Sequence, residues 1–288
     1  MNEINGFKLW EKEPNTICEG ARVYTKEIYF KTKNRYKNRL IRVYLPSTYD
    51  FSDANKRFPA IYMLDGKNLF DDYTSFVGEW GVDETIEDAI SKGKTDGIIV
   101  VGIDAPKNGK ARALEMIPKG IKGKESRLRN IGDKDVYAEL LGDYIFKLVK
   151  PIIDETFYTL SDKYHTGVGG SSMGGLMAFY LATEYSEYCN YSFTFSPAFF
   201  LFEEESFNNY LEYMFNRKKD IGNIYFYVGG VGFEKEFIKS TKRTYNFMKE
   251  IGYSDSEIRY VYDKTQEHNE KAWRIYFPDA LEFFNYIK

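Results

Sequence analysis

Residues Arg22 to Lys31 and Arg39 to Leu45 alternate apolar and polar positions, the period of strands with one buried face. The polar stretch between them, Thr32 to Asn38, predicts a hairpin connection. The pattern then changes. Ala60-Ile61-Tyr62-Met63-Leu64 and Ile98-Ile99-Val100-Val101-Gly102-Ile103 are short, continuously apolar runs, as in strands covered on both faces of a parallel sheet. Between them, Val82, Ile86 and Ile90 give helical spacing through Asp83 to Ser91. A long amphipathic helix is predicted over Asp135 to Phe157, with a kink or restart at Pro151, whose missing N–H breaks the backbone ladder. Strands follow at His165 to Val168, Tyr191 to Phe195, Ile224 to Val228 and Ile258 to Tyr262. Helices follow at Met173 to Glu184, Phe207 to Phe215, Glu236 to Ile251 and Glu270 to Ile287. The segment Lys107 to Asp133 is polar with no clear period and predicts a long surface loop. Strands alternating with helices predict one α/β domain over residues 1–288, built on a mostly parallel sheet, with residues 1–20 as an N-terminal extension.

One turn in this pattern carries chemistry. Gly169-Gly170-Ser171-Ser172-Met173-Gly174-Gly175 contains Gly-x-Ser-x-Gly with Ser172 at the centre, after a predicted strand and before a predicted helix. A strand-to-helix turn this sharp forces strained dihedrals and close backbone approach, and it lifts the serine clear of the sheet at the positive end of a helix. A dinucleotide fingerprint fails because its third glycine position is Ser172, and a P-loop fails because no Gly-Lys-Ser/Thr ending follows.

A serine nucleophile needs a base. The chain has two histidines. His165 opens the strand that leads into the turn, at the opposite sheet edge from Ser172. His268 follows the last predicted strand in a polar loop, on the same edge as Ser172 in a parallel sheet, and is the expected base. The order serine, acid, histidine that accompanies this elbow puts the acid on an intervening strand. Glu234, beyond Tyr225-Phe226-Tyr227-Val228 and its glycine turn, is the expected acid, with Glu236 and Asp263 as rivals. The N–H of Met173 is one expected oxyanion donor, and a second is expected from the loop Asp65 to Phe70.

Composition narrows the classes. The chain has 288 residues, enough for a sizeable core. A net charge of −3 and a pI near 5.7 favour neither nucleic acid nor an acidic surface, and short basic runs such as Arg217-Lys218-Lys219 read as solvated helix ends. Cys18 and Cys189 are too far apart in sequence for a disulfide framework or a Cys-x-x-Cys pair. Their spacing to the two histidines predicts no conventional zinc cluster. Asp65, Asp71 and Asp72 lack EF-hand spacing, so no metal and no cofactor is expected. With no apolar leader run and no membrane-length span, the expectation is a reduced, cytoplasmic, soluble protein without nucleic-acid or membrane partners. Nothing in the pattern fixes an oligomeric state. Aromatics make up 18% of the chain. Most of them predict packing, while Phe70, Trp80, Phe199, Phe200 and Trp273, near the motif loops, are candidate cleft walls. Asp65 and Arg112 are candidate polar contacts to a substrate.

Several motifs together resemble the putative-esterase family of α/β-hydrolases, which includes the esterase D group, feruloyl esterase domains, siderophore trilactone hydrolases and mycolyltransferases. They are Ile61 to Asp71, Gly78-Glu79-Trp80 through Asp83, Arg112 to Pro118, Pro151 to Asp154, Gly170 to Gly175, Phe195-Ser196-Pro197-Ala198-Phe199 and His268 through Trp273. The resemblance implies an α/β-hydrolase fold with about eight strands flanked by helices. It implies Ser172 as nucleophile, His268 as base, and the Lys67 and Met173 amides as oxyanion hole. The activity implied is serine ester hydrolysis through an acyl-enzyme, on a carbohydrate-linked, feruloyl-type or short acyl ester. The alternatives are acyl transfer to a sugar or other alcohol and a non-catalytic binding module on the same scaffold; the Ser172 and His268 pair argues against the latter.

Overall fold

The structure is a computed structural model that describes residues 1–31, 36–128, 131–132, 135–217 and 220–288. The hairpin connection expected over 32–38 falls partly outside the described residues, as do Lys218, Lys219 and residues 129–130 and 133 of the expected loop.

The strands form a ten-stranded sheet in the order β1-β2-β3-β4-β6-β5-β7-β8-β9-β10. By its contacts the chain divides into two compact units. The first comprises residues 1–105, 143–167 and 269–288 and the second 106–142 and 168–268.

In the first unit, β1 (Glu3–Ile4) and β2 (Phe7–Leu9) pair with each other antiparallel, and β2 pairs antiparallel with β3 (Arg22–Lys31). β3 runs antiparallel to β4 (Tyr36–Leu45), and β4 to β6 (Ile99–Ile103). β5 (Ala60–Leu64) is parallel to β6 in the register Ala60↔Ile99. Both of these strands are buried at every position, which explains their unbroken apolar runs. On β3 the alternation delivers Tyr24, Ile28 and Phe30 to one buried face. α1 (Val82–Ser91) turns Val82, Ile86 and Ala89 inward. α9 (Glu270–Phe283) is capped by the Asn269 side chain, which accepts from the Ala272 N–H at 3.0 Å.

In the second unit, α2 (Gly109–Met116) and α3 (Glu125–Leu128) lie where a long loop was expected. α2 has a signal in the sequence after all: Asn108 caps it by accepting from the Ala111 N–H. β7 (Thr166–Ser171) begins in the first unit and ends in the second, and it runs three residues past its expected end. α6 (Met173–Glu184) is buried from Gly174 to Thr183, all the way round, as expected for a helix without a polar face. β8 (Tyr191–Phe195) and β10 (Ile258–Asp263) each pair in parallel with β9 (Asn223–Gly229), which lies between them. α7 (Glu204–Arg217) and α8 (Lys235–Glu250) pack on them through an aromatic core of Phe179, Phe199, Phe207, Phe226 and Phe237.

The expected long helix over 135–157 is three helical pieces: α4 (Ala138–Asp143), a π-helical stretch over Tyr144–Val149, and α5 (Lys150–Thr156). The widened turns directly precede Pro151. Its ring and missing N–H cannot accept an ordinary α-helical turn there, and the π-helical path makes room for the ring.

Two expectations are therefore corrected. The sheet has ten strands rather than about eight, because residues 3–9 add two at its edge. It is mixed rather than mostly parallel, because β1 to β4 and the β4/β6 pairing are antiparallel. Among the described residues, no helix is long and apolar enough to cross a membrane.

Candidate active site

Ser172 holds φ 58° and ψ −117°, a conformation that costs a non-glycine residue about 1–3 kcal/mol. Backbone bonds hold it there. Its N–H donates to the Phe195 carbonyl at 3.0 Å, and its own carbonyl accepts from the Leu176 and Ala198 N–H groups at 3.0 and 3.1 Å. The end of β8 is therefore drawn under the elbow. Gly175 permits this approach, since a Cβ on it would lie 2.4 Å from the Phe195 carbonyl oxygen.

The chain leaving β8 places Ser196 at φ 41°. Its N–H donates to the Tyr227 carbonyl at 2.7 Å, and its hydroxyl donates to Glu234 Oε1 at 2.5 Å. Glu234 lies in the 3-10 turn Gly232–Glu234 after β9 and is fully buried. The same Oε1 faces His268 Nδ1 at 3.2 Å. A carboxylate only accepts, so Nδ1 carries the proton and Nε2 keeps its lone pair. Glu234 Oε2 has no hydrogen-bond partner. The imidazole is further fixed by rings on one side: it stacks on Phe237 at 4.5 Å and meets Phe233 edge-on at 5.3 Å.

Two backbone bonds bring the histidine loop to the carboxylate. The N–H groups of Gly230 and Val231 both donate to the Gln266 carbonyl at 3.0 Å. Gly229 has no room for a side chain. A Cβ there would sit 2.6 Å from the Gln266 oxygen and 2.9 Å from Glu234 Cγ.

The rival carboxylates are engaged elsewhere. Glu236 Oε2 accepts from Arg127 at 2.9 Å on the surface, and Asp263 Oδ1 accepts from the N–H and hydroxyl of Thr265 at 2.8 and 2.6 Å. His165 is exposed and pairs through Nδ1 with Asp162 at 2.7 Å. Met173 opens α6, so its N–H lies among the unsatisfied donors of that helix start. Arg112 lies half-buried on α2. In the first unit, Asp65 adopts φ 57° and precedes the short 3-10 turn that holds Lys67. The Lys67 ammonium lies 5.3 Å from the centre of the Phe76 ring.

The rings expected to wall a cleft are core residues instead. Phe70, Trp80, Phe199 and Trp273 are at most 3% exposed, and Phe200 is buried as well. Trp80 packs on Trp273 at 5.6 Å and on Phe277 at 6.0 Å, Phe70 stacks on Tyr44 at 5.7 Å, and Phe199 meets Phe179 edge-on at 5.0 Å. Sequence reasoning also missed Ser196, Phe233 and Phe237. The Phe-Ser-Pro run after β8 was visible, but only the tertiary fold turns its hydroxyl onto Glu234.

Residues 34–284 match the family described as Putative esterase. The chain belongs to this family. Membership of the putative esterase family places it in the class of carboxylic ester hydrolases. Among curated proteins, it is 23% identical over 260 residues to the uncharacterized protein YbbA of Bacillus subtilis, covering 88% of this chain and 94% of that one. A mutant feruloyl esterase module from Clostridium thermocellum, solved in complex with sinapinate, has the same fold at a TM-score of 0.64 and 17% identity, over 98% of this chain and 96% of that one. The siderophore hydrolase EstB from Aspergillus nidulans matches at a TM-score of 0.62 and 17% identity, over 96% of this chain and 98% of that one. These structures share the α/β-hydrolase type of fold with this member of the putative esterase family.

Proposed function

We propose that this protein is a serine carboxylic ester hydrolase that works through an acyl-enzyme at Ser172. The observation that carries the reading is the buried Glu234 carboxylate held against His268 Nδ1, in the same unit as the strained serine turn. His268 Nε2 takes the Ser172 proton as Oγ attacks the ester carbonyl. The imidazolium returns that proton to the leaving alkoxide, and the alcohol departs. Nε2 then takes a proton from water, whose oxygen attacks the acyl carbon; the imidazolium returns that proton to Ser172 Oγ as the acyl C–Oγ bond breaks and the acid is released. The Met173 N–H stabilises the oxyanion at each tetrahedral stage. Glu234 opposes the positive charge on the imidazole in both half-reactions.

For the ester itself we propose an acyl group of feruloyl or short-chain type, on a carbohydrate-linked or other alcohol. The fold shared with the feruloyl esterase module and the siderophore hydrolase supports this range. The direct test is a fluorophosphonate probe followed by intact mass. Wild type is expected to gain one adduct, mapped to Ser172, and Ser172→Ala to gain none. Unlabelled wild type, or a labelled Ser172→Ala, overturns the reading.

Ser196 enters this reaction as a positioning residue, one step removed from substrate. Ser196→Ala deprives a buried carboxylate of its hydroxyl donor, an interaction of about 1.5–3 kcal/mol. We expect kcat to fall about tenfold with KM unchanged, and Ser196→Thr to restore part of the loss. A purely structural role would lower the melting temperature and leave kcat of the folded enzyme at the wild-type value.

A further inference from the structure

A second cluster of ionisable side chains lies in the first unit, at the N-terminus of α1. Cys18, Asp83 and Glu84 each bring one ligand-capable atom to a common point, all within 4.8 Å of one another. Asp83 is fully buried. The Cys18 N–H donates to Asp83 Oδ2 at 3.0 Å and fixes the carboxylate beside the cysteine. Three carboxylate oxygens here are buried with no hydrogen-bond partner: Asp83 Oδ1, Glu84 Oε2 and Glu79 Oε2. Glu84 lies within hydrogen-bond reach of both Asp83 and Glu79, and oxygens buried this way need a cation or a shared proton among them. Arg274 meets only the outer side, 3.2 Å from Glu84 Oε1 and 4.0 Å from Glu79 Oε1. Burial and the neighbouring like charges push the Asp83 and Glu79 carboxyls well above the usual carboxylate range and the Cys18 thiol to about 12.

We propose that Cys18, Asp83 and Glu84 form a binding site for a divalent transition cation of zinc type. The donor set selects the ion. A sulfur ligand disfavours calcium and magnesium, which take oxygen, whereas one thiolate with two carboxylates suits zinc. Zinc–oxygen and zinc–sulfur bonds of about 2.1 and 2.3 Å put tetrahedral donors about 3.5 Å apart, so these atoms close on the ion with about 1 Å of side-chain movement. The Cys18 thiol releases its proton to solvent as the sulfur binds. Water completes the fourth position. The three ligand charges are then offset by two on the ion and one on Arg274. Bound there, the cation clips the segment around Cys18 to the start of α1. The nearby contact of the Thr16 hydroxyl with Glu79 Oε1 at 3.2 Å already ties the same two stretches together. The half-buried Cys18 gives the ion a route from solvent.

Titration of the full-length chain with zinc chloride by calorimetry tests the site, with cobalt(II) as a spectroscopic stand-in. One ion per chain is expected, together with a rise in melting temperature and a near-ultraviolet thiolate-to-cobalt charge-transfer band. Cys18→Ser should lose the band and weaken zinc binding more than a hundredfold. Asp83→Asn and Glu84→Gln should weaken it comparably, and both relieve like-charge repulsion, so they fold without the ion. Cys189→Ser should retain the band. Wild type that takes up no zinc overturns the proposal and leaves a shared proton as the positive species. Uptake undiminished in Cys18→Ser and Asp83→Asn overturns it in favour of binding elsewhere. Neither readout depends on ester turnover.

Discussion

Ser172→Ala is expected to lower kcat for a p-nitrophenyl ester by about 10⁶-fold, the scale seen when the nucleophile is removed from a known serine hydrolase. The protein should stay folded. Every hydrogen bond that holds the elbow runs through backbone groups that alanine retains: the Ser172 N–H to Phe195, and the Ser172 carbonyl from Leu176 and Ala198. The melting temperature separates chemistry from collapse, and it should match wild type. Ser172→Gly sharpens the test. At φ 58° and ψ −117° glycine escapes the steric cost that serine bears, so this variant should be about 1 kcal/mol more stable while equally inactive. A gain in stability with a complete loss of turnover is what a side chain held in strain for its chemistry predicts. Activity retained in either variant would remove Ser172 from the mechanism.

The second large effect is expected at Glu234. Glu234→Gln keeps the shape but presents an amide to the imidazole. Ser196 Oγ and His268 Nδ1 share Oε1, so an amide N–H₂ in that place donates to Nδ1 and to the Ser196 oxygen, and the histidine proton moves to Nε2, the atom that must accept one. A wrong tautomer of this kind costs about 10⁴ in kcat in a comparable triad. We expect a loss of that order with KM little changed. Glu236→Gln and Asp263→Asn should stay within about twofold of wild type, because their carboxylates are held by Arg127 and Thr265. A large loss in either of those, with Glu234→Gln active, would reassign the acid.

The elements most readable from sequence were those whose pattern has one physical cause. β5 and β6 are apolar at every position because both faces are covered, and the glycines around Ser172 mark a turn that admits no Cβ at Gly175. Elements set by short-range detail were harder to read. β1 and β2 are two and three residues long and exist through pairing onto β3. α2 shows little periodicity and is marked mainly by its Asn108 cap. In the site, Glu234 is the expected acid from chain order and its place after the glycine turn, with Glu236 and Asp263 as rivals. The burial of Glu234 and the surface position of Glu236 are set by the fold and are not legible in the local sequence. The motif tryptophans read as cleft walls because proximity in sequence to a functional loop says nothing of which way a ring points. The Cys18 and Asp83 cluster was invisible to spacing rules, which search for ligands close together along the chain, whereas these two are joined across the fold.

The seam between the two loops behind the imidazole has a mechanical consequence. The Gly230 and Val231 amides grip a single carbonyl, that of Gln266, and Gly229 leaves no gap between the strands of that grip. Any breathing of the histidine loop must therefore drag the acid-bearing turn with it. In the mechanism proposed above, a load on this loop moves the imidazole and its carboxylate together and leaves their contact intact.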